Sequence, residues 1–586
     1  MRALVRVRAA GWLQPGVIAA PTVILLVEGW THRWVAEDAF IDFRVVGNIL
    51  AGHGPVTNVG ERVEAFSNPL WVAILTVARG LVPFVSIEWS AVVLGLVGSA
   101  LGVVMGTLAT IRFERPRATG LVVPLGAVLL CAVDAVWQFE TSGLETGLLF
   151  GWLGLGWWIA QRRELRPWQV MAASAVLGLG PEIRPDMFLL ATGLLVAFLV
   201  ADPARRWTHR RVAVVTSFLA PLALNEVFRV SYYGLIVPNT ALVKSAFSLD
   251  LAQGRLYLRD FLGPDALWVP LALWVVLWTR WLIVRHRQGA RTEIVMASAV
   301  VLAALADAVY VVLIGGDFMH ARMLLPAFAM IALTASIDLG DRLVGRWALG
   351  IVAVWATVSL GFLRYGVSGI GVNGIANERG FYLTWSRQPH PVALSDYVPT
   401  SWYQGGAHDR AVAARVARTH GSAVLIDGAL PTEHFRPSMI PAHSSLPERV
   451  FVAVPNIGIW GEEAGPHVYL FDEFSLANPI GSHMEHTTVR PGHSDFIPAT
   501  WMLARFASAS HAGALGFQRQ PRVLEARRAL ACQPLSGYLA AITGPWRWSD
   551  VWRDVTHVWT WTMMRFPSSP AGAVRVLCHS TVPKSP

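Results

Sequence analysis

Long apolar runs separated by short polar breaks fill the first two thirds of the chain and then stop. Runs long enough to cross a hydrocarbon layer of roughly 30 Å as helices fall at about 12–31, 87–111, 119–138, 143–161, 167–182, 184–201, 212–230, 265–284, 292–314, 321–338 and 346–364. A further run, 69–85, is broken by Arg79, Gly80 and Pro83. Beyond about residue 366 the texture changes: His, Pro and polar residues rise, and short β-like runs bounded by turn residues appear at 423–427, 449–454 and 467–472. Helical stretches fall near 408–419 and 522–531. The pattern predicts a polytopic α-helical membrane part over 1–365 and an α/β-like soluble domain over 366–586, long enough for a core of its own.

Charge orients this arrangement. Arginine clusters lie at Arg2/Arg6/Arg8, Arg112/Arg115/Arg117, Arg162/Arg163/Arg166, Arg205/Arg206/Arg210/Arg211, Arg285/Arg287/Arg291 and Arg342/Arg346. All fall on one side of the bilayer only if 69–85 does not cross, and positive charge marks the cytoplasmic side. The expectation is about eleven spans, with the N-terminus inside and 69–85 as an interfacial helix of a long first outer loop, 32–86. The C-terminal domain is then extracytoplasmic, on a plasma membrane. The basic start followed by an apolar run resembles a signal peptide. No small-x-small cleavage pattern follows before Thr31-His32-Arg33-Trp34, so the run reads as an uncleaved first span.

Composition supports this and narrows the function classes. Of 586 residues, 54% are hydrophobic and 15% charged, against about 25% charged in soluble domains. The net charge of +9 is explained by the inner loops. No stretch alternates basic and aromatic residues in the way that stacks bases, so nucleic acid is not an expected partner. There is no Walker A pattern, dinucleotide glycine loop or HExxH, which argues against nucleotide-driven transport and Rossmann chemistry. Cys131 lies in an apolar run. Cys532 and Cys578 lie in the last fifth, where an extracytoplasmic setting favours a disulfide over two free thiols.

The outer loops hold the unusual polar residues. The first contains Glu37, Asp38, Asp42 and Arg44 directly after the first span; later ones contain Glu140 to Glu145, Glu182-Ile183-Arg184-Pro185-Asp186, Tyr232 to Lys244, and Gly315 to Arg322. The inner loops carry no such acid clusters. Carboxylates beside cations suit transfer of a glycosyl group from a lipid phosphate. A carboxylate deprotonates the acceptor hydroxyl or stabilises the anomeric centre, and cations hold the leaving phosphate. Asp38 is the leading carboxylate, with Glu37 and Asp42 in reserve. Arg44, Arg184, Lys244, His320 and Arg322 are the candidate phosphate ligands. The rival reading is interfacial charge satisfied by headgroups and salt bridges. Asp134, Asn225, Glu226, Arg229 and Asp307, in or near apolar runs, suit helix-to-helix hydrogen bonds better than an ion relay.

Weaker signals lie further on. His483-Met484-Glu485-His486 lacks a third metal ligand, and with His434, His443 and His467 reads as ordinary domain content. Arg490-Pro491-Gly492-His493-Ser494-Asp495 reads as a turn with exposed His and Asp. Trp546, Trp548, Trp552, Trp559 and Trp561 crowd one region, where they can stack on sugar rings, dock on a bilayer or fill a core. No cofactor is implied. A divalent cation between carboxylates and a lipid phosphate stays open, without a dedicated cage.

A resemblance sharpens the picture. Ala36-Glu37-Asp38-Ala39-Phe40-Ile41, Arg44, Gly52-His53-Gly54, Asn58 to Glu64 and Ser67-Asn68-Pro69-Leu70-Trp71 resemble the first outer loop of actinobacterial polyprenyl-phosphate-dependent arabinofuranosyltransferases of the AftB type, which are GT-C-fold enzymes. Further blocks match in the same order: Thr141 to Gly147, Arg184-Pro185-Asp186, Tyr232-Tyr233-Gly234 with Pro238-Asn239-Thr240 and Lys244, Gly315-Gly316-Asp317-Phe318-Met319 with Arg322, and Arg490 to His493. The resemblance implies a decaprenyl-phosphate-arabinofuranose donor, an arabinan acceptor of the cell envelope and a terminal β-(1→2) linkage. It places catalysis on Glu37 and Asp38. It leaves Arg44, Arg184, Lys244, His320 and Arg322 for the donor phosphate, and Glu145, Asp186, Asp317 and His493 for sugar hydroxyls. Glu37 stands where the family often has Asp, which favours Asp38; Asp42 stands where a small polar residue is common. A β-linked donor and a β-linked product mean retention, by a nucleophile or by same-face attack guided by the leaving phosphate. The rivals are a transferase of another polyprenyl-linked sugar such as mannose, a transporter of lipid-linked saccharide, and a structural scaffold.

Overall fold

The structure, a computed structural model, describes residues 2–202, 207–243, 249–340, 342–419, 421–426, 438–485, 488–491, 493–508 and 520–579. Lys244, Arg205, Arg206, His434, His486 and Gly492 lie outside the described residues. The chain is mostly helical and folds into two compact units, neither of them continuous. One comprises Met1–Ala36, Val85–Ala223 and Leu249–Val392; the other comprises Glu37–Phe84, Leu224–Ser248 and Ala393–Pro586. This differs from the 365/366 division expected from texture. The segment 366–392 belongs with the long apolar helices, and the segment 37–84 belongs with the C-terminal part.

Among the described residues, five helices are long and apolar enough to cross a membrane. They are Ile87–Arg117, Thr208–Tyr233, Trp268–Arg287, Arg291–Leu313 and Leu343–Phe362. Several other apolar runs form shorter helices, among them Thr146–Ala160 and Leu325–Thr334. The runs 119–138 and 321–338 are not single helices. Val122–Pro124 and Ser336–Asp338 pair as antiparallel strands, so each run changes structure part-way. The helix Pro69–Leu81 has 13 residues, a length of about 20 Å at 1.5 Å per residue. It is shorter than a hydrocarbon core of roughly 30 Å.

Within the helical unit, close packing of two glycine-bearing helices fixes the start of Thr146–Ala160. A Cβ on Gly98 would lie 2.5 Å from the Gly147 carbonyl oxygen, and one on Gly154 would lie 2.0 Å from that of Gly102. Only hydrogen allows backbones this near, the small-residue contact common between membrane helices. A second helix pair, Phe188–Ala201 against Arg291–Leu313, carries the turn at Arg184 to Asp186 and the carboxyl of Asp307.

The second unit is built on a four-stranded sheet. Ala423–Ile426, Val450–Val454 and Val468–Asp472 run parallel, and Ser438–Pro441 is the antiparallel edge. The three parallel strands are the short β-like runs anticipated from their bounding turn residues, and the helices Ser401–Arg418 and Gln520–Leu530 match the helical stretches. A disulfide joins Cys532 to Cys578, and Cys131 is a buried free thiol.

The segment Glu37–Phe84 is stitched into this unit through its polar residues. Asn58 mimics a strand neighbour, its Nδ2 donating to the Leu470 carbonyl and its Oδ1 accepting from the Leu470 N–H, both at 3.0 Å. Glu61 accepts from Tyr469 Oη and pairs with Arg505. Arg62 donates to the carbonyls of Tyr232, Ala541 and Gly544. Glu64 pairs with Arg229, which also holds Glu226. Polar residues clustered in this loop therefore fix its path.

Candidate active site

In the second unit the helix Glu37–Leu50 presents the acidic pair. Glu37 is buried, and its Oε1 accepts a 2.5 Å hydrogen bond from the Gly458 N–H, at the start of the helix Ile459–Ala464. Burial, with the neighbouring Asp38 charge adding to it, pushes the Glu37 carboxyl up to about 8. Asp38 is only half-buried. The two acids are thus unequal: one is fixed against backbone, the other keeps access. Asp42 is buried and accepts from Asn68 Nδ2 at 2.8 Å, which explains the extra acid of this loop as a tie to the next helix.

A further acid acts on the pair with another beside it, and sequence reading missed both. Asp472 ends the strand Val468–Asp472, and Glu473 follows it. Asp472 acts on Glu37 electrostatically. Its carboxylate caps the turn that follows, accepting from the N–H groups of Phe474 at 2.9 Å and Ala477 at 2.8 Å. Burial still pushes it up to about 7, and Glu473 likewise to about 7. The signal that could have found them was positional: parallel α/β sheets place their sites at the carboxyl ends of strands.

Arg44 has a different place from the one expected. Its guanidinium is buried and donates to the carbonyls of Thr57 (2.8 Å), Gly461, Gly465 (3.1 Å) and Val468 (3.0 Å). Four carbonyls occupy four of its five N–H groups. That makes it a backbone clamp, with little left for a phosphate. His493 is part-buried, its Nε2 lies 2.8 Å from Arg490, and its ring meets Phe474 edge-on. His483 is buried with Nδ1 facing the Met564 carbonyl, and burial lowers it to about 3. Among the described residues no cluster of three or more His, Cys, Asp or Glu is arranged to hold a metal ion.

The helical unit holds the other anticipated residues, and brings most of them into paired contacts. Arg184 grips Asp186 through both Nε (2.9 Å) and NH2. Arg322 grips Glu145 with NH2 3.0 and 3.2 Å from the two carboxylate oxygens, and its NH1 lies 3.9 Å from Asp317. These partners stand 177 residues apart in sequence. Asp307 is fully buried close to Arg184 and Asp186. The Gly315-Gly316 turn shapes this site: both glycines have positive φ, and a Cβ on Gly316 would lie 2.3 Å from the Tyr257 ring. Tyr257 Oη then donates to the Met319 carbonyl at 2.9 Å and accepts from the Met323 N–H at 3.0 Å. His320 is set apart from the arginine pairs. Its Nδ1 lies 2.5 Å from Asp260, and its ring stacks on Tyr365 with centroids 3.7 Å apart. Tyr365 Oη donates to the same Asp260 at 2.7 Å.

The chain is 30% identical to the terminal β-(1→2)-arabinofuranosyltransferase of Mycobacterium tuberculosis over 99% of both chains. It is 29% identical to the enzyme of the same name from Corynebacterium glutamicum, over 86% of this chain and 78% of that one. This chain belongs to the AftB-type arabinofuranosyltransferase family. It is therefore a glycosyltransferase, and its apolar helices are those of a membrane enzyme. No family profile matches the chain. No solved structure matches it.

Proposed function

We infer that this arabinofuranosyltransferase takes β-arabinofuranose from decaprenyl phosphate and adds it as a terminal β-(1→2) residue to a cell-envelope arabinan. The observation that carries the reading is the asymmetry of the acidic pair. Glu37 is buried on the Gly458 N–H, and Asp38 beside it keeps access. Asp38 is the reacting carboxylate: base towards the acceptor hydroxyl, or the group that stabilises charge at the anomeric carbon. Glu37 is a positioning residue that holds the helix carrying Asp38.

Arg184 and Arg322 are proposed for the donor phosphate, together with Lys244, and Glu145, Asp186, Asp317 and His493 for sugar hydroxyls. The arginines are already held by carboxylates, which keeps each guanidinium plane fixed before substrate arrives. Two cations stand there against the four carboxyls of Glu145, Asp186, Asp307 and Asp317. A phosphate joins such a group only where some of those carboxyls carry protons or turn towards sugar hydroxyls. A divalent cation would serve the same end.

The Cys532–Cys578 disulfide supports the orientation. It belongs to the compact unit that also contains Glu37 and Asp38, and disulfides persist in oxidising compartments. That unit is read as extracytoplasmic, the N-terminus as cytoplasmic and the membrane as the plasma membrane, with about eleven apolar segments at membrane depth.

The test is purified enzyme with decaprenyl-phosphate-arabinofuranose and a short arabinan, the product linkage read by NMR. The terminal β-(1→2) signal is the expected result. Transfer from a mannosyl donor instead, or an α-linked product, overturns the assignment of donor or stereochemistry.

A further inference from the structure

The crowded tryptophans near the C-terminus separate into two groups. Trp561 is buried in the core of the second unit. Trp552, Val555, Trp559 and Met563 recur at three- and four-residue steps along the helix Val551–Met563, so they share one face. That face is open: Trp552 is 76% and Trp559 64% exposed, and Trp548 just before the helix is 82% exposed. Asp554 and Trp561 point the other way and are buried. Arg547 and Arg565, both exposed, flank the stripe at its two ends.

What covers this face follows from what the helix is attached to. Trp546 Nε1 donates to the Ser231 carbonyl at 2.7 Å, and Thr562 Oγ1 accepts from the Ile236 N–H at 3.1 Å. Gly234 packs so closely on Trp561 that a Cβ there would lie 3.0 Å from the indole. Residues 231–236 are the exit of Thr208–Tyr233, one of the helices able to cross a membrane. On the last turns of that helix Leu224, Val227 and Phe228 are exposed. The tryptophan stripe is thus tied to the end of a helix long and apolar enough to cross a membrane.

We propose that the helix Val551–Met563, with Trp548, is an interfacial anchor that lies in the headgroup layer of an anionic phospholipid bilayer. Indole rings settle at the boundary between headgroups and acyl chains. An amphipathic helix buries its apolar face there to a depth of about 5–10 Å. Arg547 and Arg565 meet the phosphates. A sugar platform fits less well, because the rest of the stripe is apolar and the hydroxyl of Thr556 on this face already donates to the carbonyls of Trp552 and Arg553.

The test uses the full chain in nanodiscs of phosphatidylglycerol and phosphatidylethanolamine. Trp552→Cys and Trp559→Cys are labelled with the environment-sensitive fluorophore NBD, and Ala414→Cys, on an exposed position of Ser401–Arg418, is the aqueous control. The stripe labels are expected to shift to the blue, to lose intensity with 5-doxyl lipid more than with 12-doxyl lipid, and to resist iodide; the control does the reverse. Photo-crosslinking of the unaltered chain with a diazirine phosphatidylglycerol, expected to give adducts on 546–565, serves if the cysteine variants fold poorly. The proposal is overturned by iodide access at both stripe positions, by absence of adducts there, by shielding only at two copies per disc, or by shielding only on addition of an arabinan.

Discussion

The two candidate acid groups, one in each unit, are held in different ways. In the helical unit three acids of the group are met by side-chain cations, Asp186 by Arg184 and Glu145 and Asp317 by Arg322, while Asp307 is buried close to Arg184 and Asp186. In the other unit, Glu37 and Asp472 are met by backbone N–H groups, and Arg44 is met by backbone carbonyls. A cation beside a carboxyl favours its charged form. Backbone contacts with heavy burial leave Glu37, Asp472 and Glu473 near the point of protonation, at about 8, 7 and 7. The first arrangement suits fixed recognition, and the second suits a carboxyl that exchanges a proton.

The strongest way to break this contrast is Asp38→Asn. If Asp38 does the chemistry, transfer falls by about 10²–10⁴-fold, while melting temperature and the disulfide are unchanged. Activity close to wild type removes Asp38 from the reaction and leaves the acid cluster without a catalytic member.

Next is the pairing in the helical unit. Arg322→Ala breaks the pair that Arg322 makes with both oxygens of the buried Glu145 carboxylate. Such a break costs about 3–5 kcal/mol, whereas replacing both partners by apolar residues of similar volume is close to neutral. Arg322→Met with Glu145→Leu should therefore recover most of the melting temperature lost by Arg322→Ala, but recover no transfer. Equal losses in the single and double variants would mean that the pair stabilises the fold outright.

These contacts also show what could be read from the chain. Charge next to apolar runs was visible, so Glu37, Asp38, Arg184, Glu145 and Arg322 could all be picked out. Their pairings could not be, since Arg322 and Glu145 meet across 177 residues. Arg44 was misplaced among phosphate ligands because its partners are carbonyls at 57, 461, 465 and 468, and a carbonyl has no residue-type signature. Apolar content over 119–138 and 321–338 was read as two spans. Averaged hydropathy does not register that Val122–Pro124 and Ser336–Asp338 pair as strands. The strands 423–426, 450–454 and 468–472 were legible because turn residues bound them.

Removing the disulfide tests the second unit alone. Cys532→Ser with Cys578→Ser opens a link between residues 46 apart, a loss of about 2–4 kcal/mol. The lower melting temperature should be matched by adding reductant to the wild type. No change on reduction would show that the bond constrains little of this unit.

The smallest and sharpest effect concerns Glu37. Burial raises its carboxyl from 4.5 to about 8, and raises Glu448 to about 8 as well. Below pH 4 the folded and unfolded chains both hold these protons, and the groups contribute nothing. Between about pH 4.5 and 8 the unfolded chain releases protons that the folded chain retains, so stability falls as pH rises, and it levels off above 8. Glu37→Gln keeps the oxygen that accepts from Gly458 and cannot ionise. It should match wild type near pH 5, melt higher than wild type near pH 8, and keep transfer within about tenfold if Glu37 only positions its neighbour. Melting curves across this range read the effect directly. An unchanged slope in Glu37→Gln would mean that Glu37 stays ionised in the fold, and the contrast between paired and protonated carboxyls would then rest on Asp472, Glu473 and Glu448 alone.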